Sequence, residues 1–197
     1  AMLENYAQLR DLYPGQLRDI LRAETTTLMA AGRHEEAAER IRELARRGTP
    51  PNDLVAMIQQ LKQEEKPQLA KALLEEQLAG LQRNAQALSM LASIYAEDND
   101  YEKAMELARE AWEGQVRGGS GRNSNYYYYA GYYQSSGMSI DGNLRAWFQY
   151  AKSAGKKDEL IAEFETRLEQ QPASVSAHEH LASLYSLDED QDKAIEL

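Results

Sequence analysis

The sequence predicts an all-α chain, a right-handed α-solenoid of antiparallel helix pairs that becomes irregular around residues 114–142. Three observations carry this. The 197 residues are rich in Ala, Leu, Glu, Gln and Arg, with only 5 prolines, a composition that favours helix. Apolar residues recur at 0, +3, +4 and +7, the stripe of an amphipathic helix. Ala37, Ala70 and Ala104 stand 33 and 34 residues apart, a constant period. A lone helix pair cannot bury both of its faces, so a period of this length implies stacked neighbours.

The elements follow in order. Leu3, Tyr6, Leu9, Leu12 and Tyr13 form a helical stripe in residues 3–15, closed by Pro14-Gly15. Residues 18–48 hold Leu21, Leu28, Ala37, Ile41 and Leu44 around a turn at Ala31-Gly32-Arg33. Residues 51–82 begin at Pro50-Pro51 and place Leu54, Met57, Ile58, Leu61, Ala70 and Leu74 on two helices. Pro67 marks the second helix start, because proline is tolerated in a first turn. Residues 84–114 are the most regular unit. Leu88, Leu91, Ala92 and Tyr95 make the first stripe, Asp98-Asn99-Asp100 the break, and Tyr101, Ala104, Ala108 and Ala111 the second stripe. Residues 141–172 pair Leu144, Trp147, Phe148 and Ala151 with Leu160, Phe164 and Leu168 across Gly155-Lys156-Lys157. Residues 175–197 repeat the pattern with His178, Leu181, Ala182 and Tyr185, a turn at Asp188-Glu189-Asp190, and Ala194. Residues 1–197 are read as one array, and both ends as cuts through a longer one.

The period fails after Gly114. Ala104 and Leu160 are separated by one period plus 22 residues, which include Gly118-Gly119-Ser120-Gly121 and a run of tyrosines. Tyr126, Tyr129, Ala130 and Tyr133 keep the 0, +3, +4, +7 spacing, which predicts a short helix over 125–136. The competing reading is a Gly/Ser/Tyr-rich flexible loop. Tyr127, Tyr128 and Tyr132 lie off the stripe. Tyrosine offers large contact area at low entropic cost, so these three are candidates for a binding platform. The alternative is that they pack on neighbouring helices as an irregular joint.

Charge and composition exclude several functions. The net charge of −10 argues against nucleic acid as a partner, since phosphate binding needs a basic patch. There is no cysteine, so disulfides, thiolate metal sites and cysteine catalysis are excluded. No stretch reaches the roughly 18 apolar residues of a membrane span. His178 and His180 are two apart on a helix and point in different directions, so they do not share a metal. The acidic run 188–192 lacks the glycine and terminal glutamate of a calcium loop. It reads as a turn with an acid at the next helix N-terminus. No catalytic constellation, cofactor motif or metal cluster is expected.

The unit at 84–111 resembles a tetratricopeptide repeat, with matches at Leu88, Leu91, Ala92, Tyr95 and Ala104. It departs from that pattern at Leu88, Ala92 and Ala108 and lacks the late proline. The resemblance implies a concave groove that takes an extended peptide or a partner helix. It also implies that the groove is lined by first-helix positions one place after the motif's opening and small residues. Here those positions are Arg22 and Thr26, Val55 and Gln59, Ser89 and Ser93, Arg145 and Gln149, and Glu179 and Ser183. Lys152 joins Arg22 and Arg145 as a candidate contact for an acidic ligand. The expected function is therefore a protein-interaction scaffold with a protein or peptide partner. The alternative is a structural or regulatory repeat region of a larger protein, including self-assembly.

Overall fold

A computed structural model describes residues 2–81, 84–118 and 140–197. These residues form eleven α-helices and one short 3₁₀ turn, and no strand occurs among them. The helices are α1 (Met2–Leu12), α2 (Leu17–Ala30), α3 (His34–Arg46), α4 (Pro51–Gln63), α5 (Pro67–Gln77) and α6 (Ala85–Glu97). They continue with α7 (Tyr101–Gly118), α8 (Gly142–Ser153), α9 (Lys157–Gln170), α10 (Val175–Leu187) and α11 (Gln191–Glu196). The 3₁₀ turn at Pro14–Gln16 links α1 to α2. Helix α7 runs straight through Gly114 to Gly118, so the loss of period after Gly114 does not end the helix. The expected helix over 125–136, with its tyrosines, lies outside the described residues.

The tight turns that reverse the chain share one device. Gly32, Glu65, Asn99, Gly155 and Glu189 all sit at φ between 60° and 72°, in the left-handed region. Their separations are 33, 34, 56 and 34 residues, so the turn residue keeps the period outside the insertion. In each turn the following amide bonds back to the carbonyl five residues earlier. The bonds are Arg33 N to Leu28 O (2.9 Å), Lys66 N to Leu61 O (3.1 Å), Asp100 N to Tyr95 O (2.9 Å), Lys156 N to Ala151 O (2.8 Å) and Asp190 N to Tyr185 O (3.0 Å). This is the Schellman closure of a helix C-terminus, which satisfies carbonyls that the helix leaves unpaired. Helix starts are capped as well. Asn84, Asp100, Asp141, Ser174 and Asp190 accept first-turn amides on their side chains.

The chain divides into two compact units, residues 1–94 and 95–197, with the boundary inside α6. In the first unit α1 packs on α2, α2 on α3, α3 on α4 and α5, and α4 on α5. Its core is Leu21, Leu28, Met29, Ile41, Leu44, Ile58, Leu61, Leu73 and Leu74, all essentially buried. Small residues at Ala37, Ala38 and Ala70 are fully buried too, where they let helix backbones approach. Glu24 and Thr25, which break the repeat pattern, are buried as well. Thr25 donates to Leu21 O at 2.7 Å. Glu24 accepts from Arg40 of α3 at 3.0 Å and lies 3.7 Å from Arg10 of α1. Two cations therefore compensate one buried carboxylate, which is what a buried charge requires. The α1 stripe is less buried than its periodicity suggests: Leu12 and Tyr13 are exposed, while Tyr6 donates to Thr27 Oγ1 at 3.1 Å.

The second unit is organised around aromatic rings. Trp112 of α7 lies 5.5 Å from Trp147 of α8, 5.3 Å from Phe164 of α9 and 5.2 Å from His180 of α10. Tilted and edge-on ring pairs at these distances are favourable beyond their burial. Arg167 lies over both Trp112 and Phe164, and Arg109 over Trp147, adding cation–π attraction. Four helices thus meet on one ring cluster, even though α7 and α8 flank the insertion. Burial pushes the His180 imidazole below its ordinary value, so it stays neutral among the rings. Of the paired histidines at 178 and 180, the second is therefore a packing residue.

Candidate functional site

The first unit carries a cavity of about 470 Å³ between α4 and α6. It is lined by Gln59, Lys62 and Gln63 of α4 and by Gln86, Ser89, Met90 and Ser93 of α6. The helical period explains the set. On α4, Leu54, Val55, Ile58 and Leu61 face the core; Gln59 and Gln63 are exposed on the other side, and Lys62, seven residues after Val55, is half-buried at the edge of the core face. On α6, Leu88, Leu91 and Ala92 are buried, which turns 86, 89 and 93 outward.

Hydrogen bonds tie the two helices across this face. Asn84 Nδ2 donates to Asn52 Oδ1 at 2.9 Å. Gln86 Nε2 donates to Gln59 Oε1 at 3.2 Å. Lys62 Nζ donates to Ser93 Oγ at 2.7 Å, and Ser93 Oγ donates to Met90 O at 2.8 Å. Ser89 Oγ donates to Ala85 O at 2.8 Å. Both hydroxyl protons are thus committed to helix carbonyls, so neither serine is poised as a nucleophile. Among the described residues of the lining Lys62 is the only charged one, and none is a carboxylate. That is unusual placement in a chain with 32 acidic residues.

The residues expected from the sequence separate into groups. Gln59, Ser89 and Ser93 come together in the cavity. Arg22 does not join them, because its guanidinium is ion-paired with Asp53 at the start of α4. Arg145, Gln149 and Lys152 lie on one exposed face of α8 in the second unit, opposite Leu144, Trp147, Phe148 and Ala151. Arg145 and Lys152 form no ion pair with another described residue. Tyr127, Tyr128 and Tyr132 lie outside the described residues. Two further positions need correction: Val55 is fully buried, and Ser183 is buried with its hydroxyl donated to Glu179 O at 2.7 Å. Each sits one step round its helix from the open face. Lys62, Gln63, Gln86 and Met90 were not expected. The signal for Gln63 and Gln86 was their register, four residues after Gln59 and three before Ser89.

Among the described residues no group of three His, Cys, Asp or Glu side chains could hold a metal ion. Among them, too, no helix is long and apolar enough to cross a membrane.

No protein-family model matches the chain. No curated protein matches it. Solved structures do resemble it. One is the MamA RS-1 ArsTM double mutant, with TM-score 0.50 and 14% identity, covering 91% of this chain and 89% of that one. Another is a putative kinesin light chain of Podosopora anserina with nearly identical TPR-like repeats. It has TM-score 0.48 and 15% identity, covering 93% and 92% of the two chains. At 14% identity the likeness to the MamA structure concerns the fold alone, and it agrees with the helix pairs and periodic turns described above. The chain has a tetratricopeptide-like helical-repeat fold.

Proposed function

We propose that this chain is a non-catalytic interaction scaffold whose α4–α6 face binds an extended peptide segment of a partner protein. The observation that supports this reading is the cavity lining, whose described residues present amides, hydroxyls and one ammonium, with no carboxylate among them. The Gln59–Gln86 contact uses one donor and one acceptor. It leaves the Gln59 NH₂ and the Gln86 carbonyl for a ligand. A donor and an acceptor side by side match the C=O and N–H of a peptide unit. The aliphatic part of Met90 offers an apolar contact that adapts its shape. Arg145, Gln149 and Lys152 form a second candidate surface, a basic stripe on α8 suited to an acidic segment.

A peptide array probed with the labelled chain, followed by fluorescence polarisation of the hits, tests this. Replacing Gln59 or Gln86 by Ala removes one ligand hydrogen bond of about 1 kcal/mol, which is roughly a fivefold loss of affinity. Both residues are exposed, so folding is expected to be unchanged. Hits that bind Gln59→Ala and Gln86→Ala chains as tightly as the parent would show that this face is not the site.

A further inference from the structure

A second cavity, of about 580 Å³, lies in the second unit between α9 and α10. Glu165, Leu168, Glu169, Pro172, His178 and Leu181 line it. Its chemistry is the reverse of the α4–α6 face. The floor is apolar, made by Leu168, Pro172 and Leu181. Every polar group in the lining accepts hydrogen bonds. Glu165 and Glu169 are carboxylates. Glu165 Oε1 takes the Tyr185 hydroxyl at 2.5 Å, which leaves its second oxygen for a ligand. His178 Nδ1 lies 2.9 Å from Ser174 O. A carbonyl only accepts, so Nδ1 carries the hydrogen, and in the neutral tautomer Nε2 is an acceptor.

The cations nearby are engaged elsewhere. Arg167 pairs with Glu163 and covers Trp112 and Phe164. Lys193 pairs with Asp190 and lies over Tyr185. Lys157 bonds both oxygens of Asp188. Glu169 has no ion pair with any described residue. Glu165 and Glu169 are four apart on one helix face, a like-charge pair that opposes helix formation by a few tenths of a kcal/mol. A bound cation would reverse that.

We infer that this cavity is a receptor for an arginine side chain of a partner protein. The aliphatic stem lies on Leu168 and Leu181, and the guanidinium spans Glu165 and Glu169. A guanidinium has five donors and no acceptor, which complements a lining that has acceptors and no donor. Its flat face also suits the Pro172 and His178 rings better than a tetrahedral ammonium does. The inference is independent of the peptide reading of the α4–α6 face, because it uses other helices.

Amide NMR titration of the intact chain with N-acetyl-arginine methylamide tests it. Saturable shifts are expected for the amides of Leu168, Glu169, His178 and Leu181. The citrulline analogue has the same shape without the charge, and is expected to bind at least about tenfold more weakly. The lysine analogue is expected to bind severalfold more weakly. Glu169→Gln should lower arginine affinity at least about fivefold, whereas Glu159→Gln, at the far end of α9, should not. Equal binding of arginine and citrulline overturns the proposal. So do equal binding of arginine and lysine, unchanged affinity in Glu169→Gln, and shifts scattered over the acidic surface.

Discussion

Gly155 and Gly114 provide a matched pair in which one substitution has opposite consequences. Gly155 closes the turn between α8 and α9 at φ 72°, whereas Gly114 lies inside α7. A Cβ built at either position meets no atom within 4 Å, so neither alanine meets a steric barrier. At Gly155 the left-handed conformation disfavours alanine by about 1–2 kcal/mol. The stiffer unfolded chain returns about 0.4–1 kcal/mol. The net expectation is a loss of about 0.5–1 kcal/mol for Gly155→Ala, and similarly for Gly32→Ala, which has the same geometry. Gly114→Ala, in a helix interior, should instead stabilise by about 0.8–1 kcal/mol. Glu65 and Glu189 invert the test, because they hold the same turn conformation without being glycine. Glu65→Gly and Glu189→Gly should raise stability by about 0.5 kcal/mol. Urea unfolding followed by circular dichroism reads these as shifts of the midpoint at constant slope. In a chain of this size 1 kcal/mol corresponds to about 2–4 °C in Tm. If Gly155→Ala were neutral or stabilising like Gly114→Ala, the assignment of the periodic turns to left-handed closures would fail.

Three further outcomes are expected. Trp112→Ala should destabilise the second unit by about 3–5 kcal/mol, the cost of removing a large buried aromatic. Differential hydrogen exchange should locate that loss in α7 to α10 and spare α2 to α5. His180 has its pKa depressed by burial, so the stability it contributes is complete above its ordinary value of 6.5 and is lost as pH falls below that value. Melting curves should drop in this range, and His180→Phe should flatten the dependence. Tyr185 is shifted the other way: burial, then its bond to Glu165, pushes its hydroxyl up to about 12. Its contribution is intact below pH 10 and lost as pH rises towards 12. Ultraviolet titration should show a late-titrating tyrosine that is lost in Tyr185→Phe.

Local chemistry decides which parts of this molecule could be read from the sequence. The turns at Gly32 and Gly155 were legible because glycine advertises a left-handed residue. Those at Glu65 and Glu189 were legible only as breaks in the stripe, since nothing about glutamate signals positive φ. Gln59, Ser89 and Ser93 could be named because the resemblance to the tetratricopeptide repeat implies which first-helix positions line a groove. Val55 and Ser183 failed because a position one step round the helix falls inside the packed face, and only the neighbouring helix settles which side is covered. Trp112 and His180 meet across the insertion, a contact between distant segments that no local pattern records. Glu24 looked like a defect in its repeat. Its partners, Arg10 and Arg40, come from the helices on either side.

The peptide-binding reading of the α4–α6 face is tested most directly by the side-chain amide resonances of Gln59 and Gln86, followed as a selected peptide is added to the intact chain. Saturable shifts of both NH₂ groups, together with the backbone amides of Gln63 and Ser89, are the expected result. Shifts confined to other helices, with those two side chains unmoved at saturation, would contradict it.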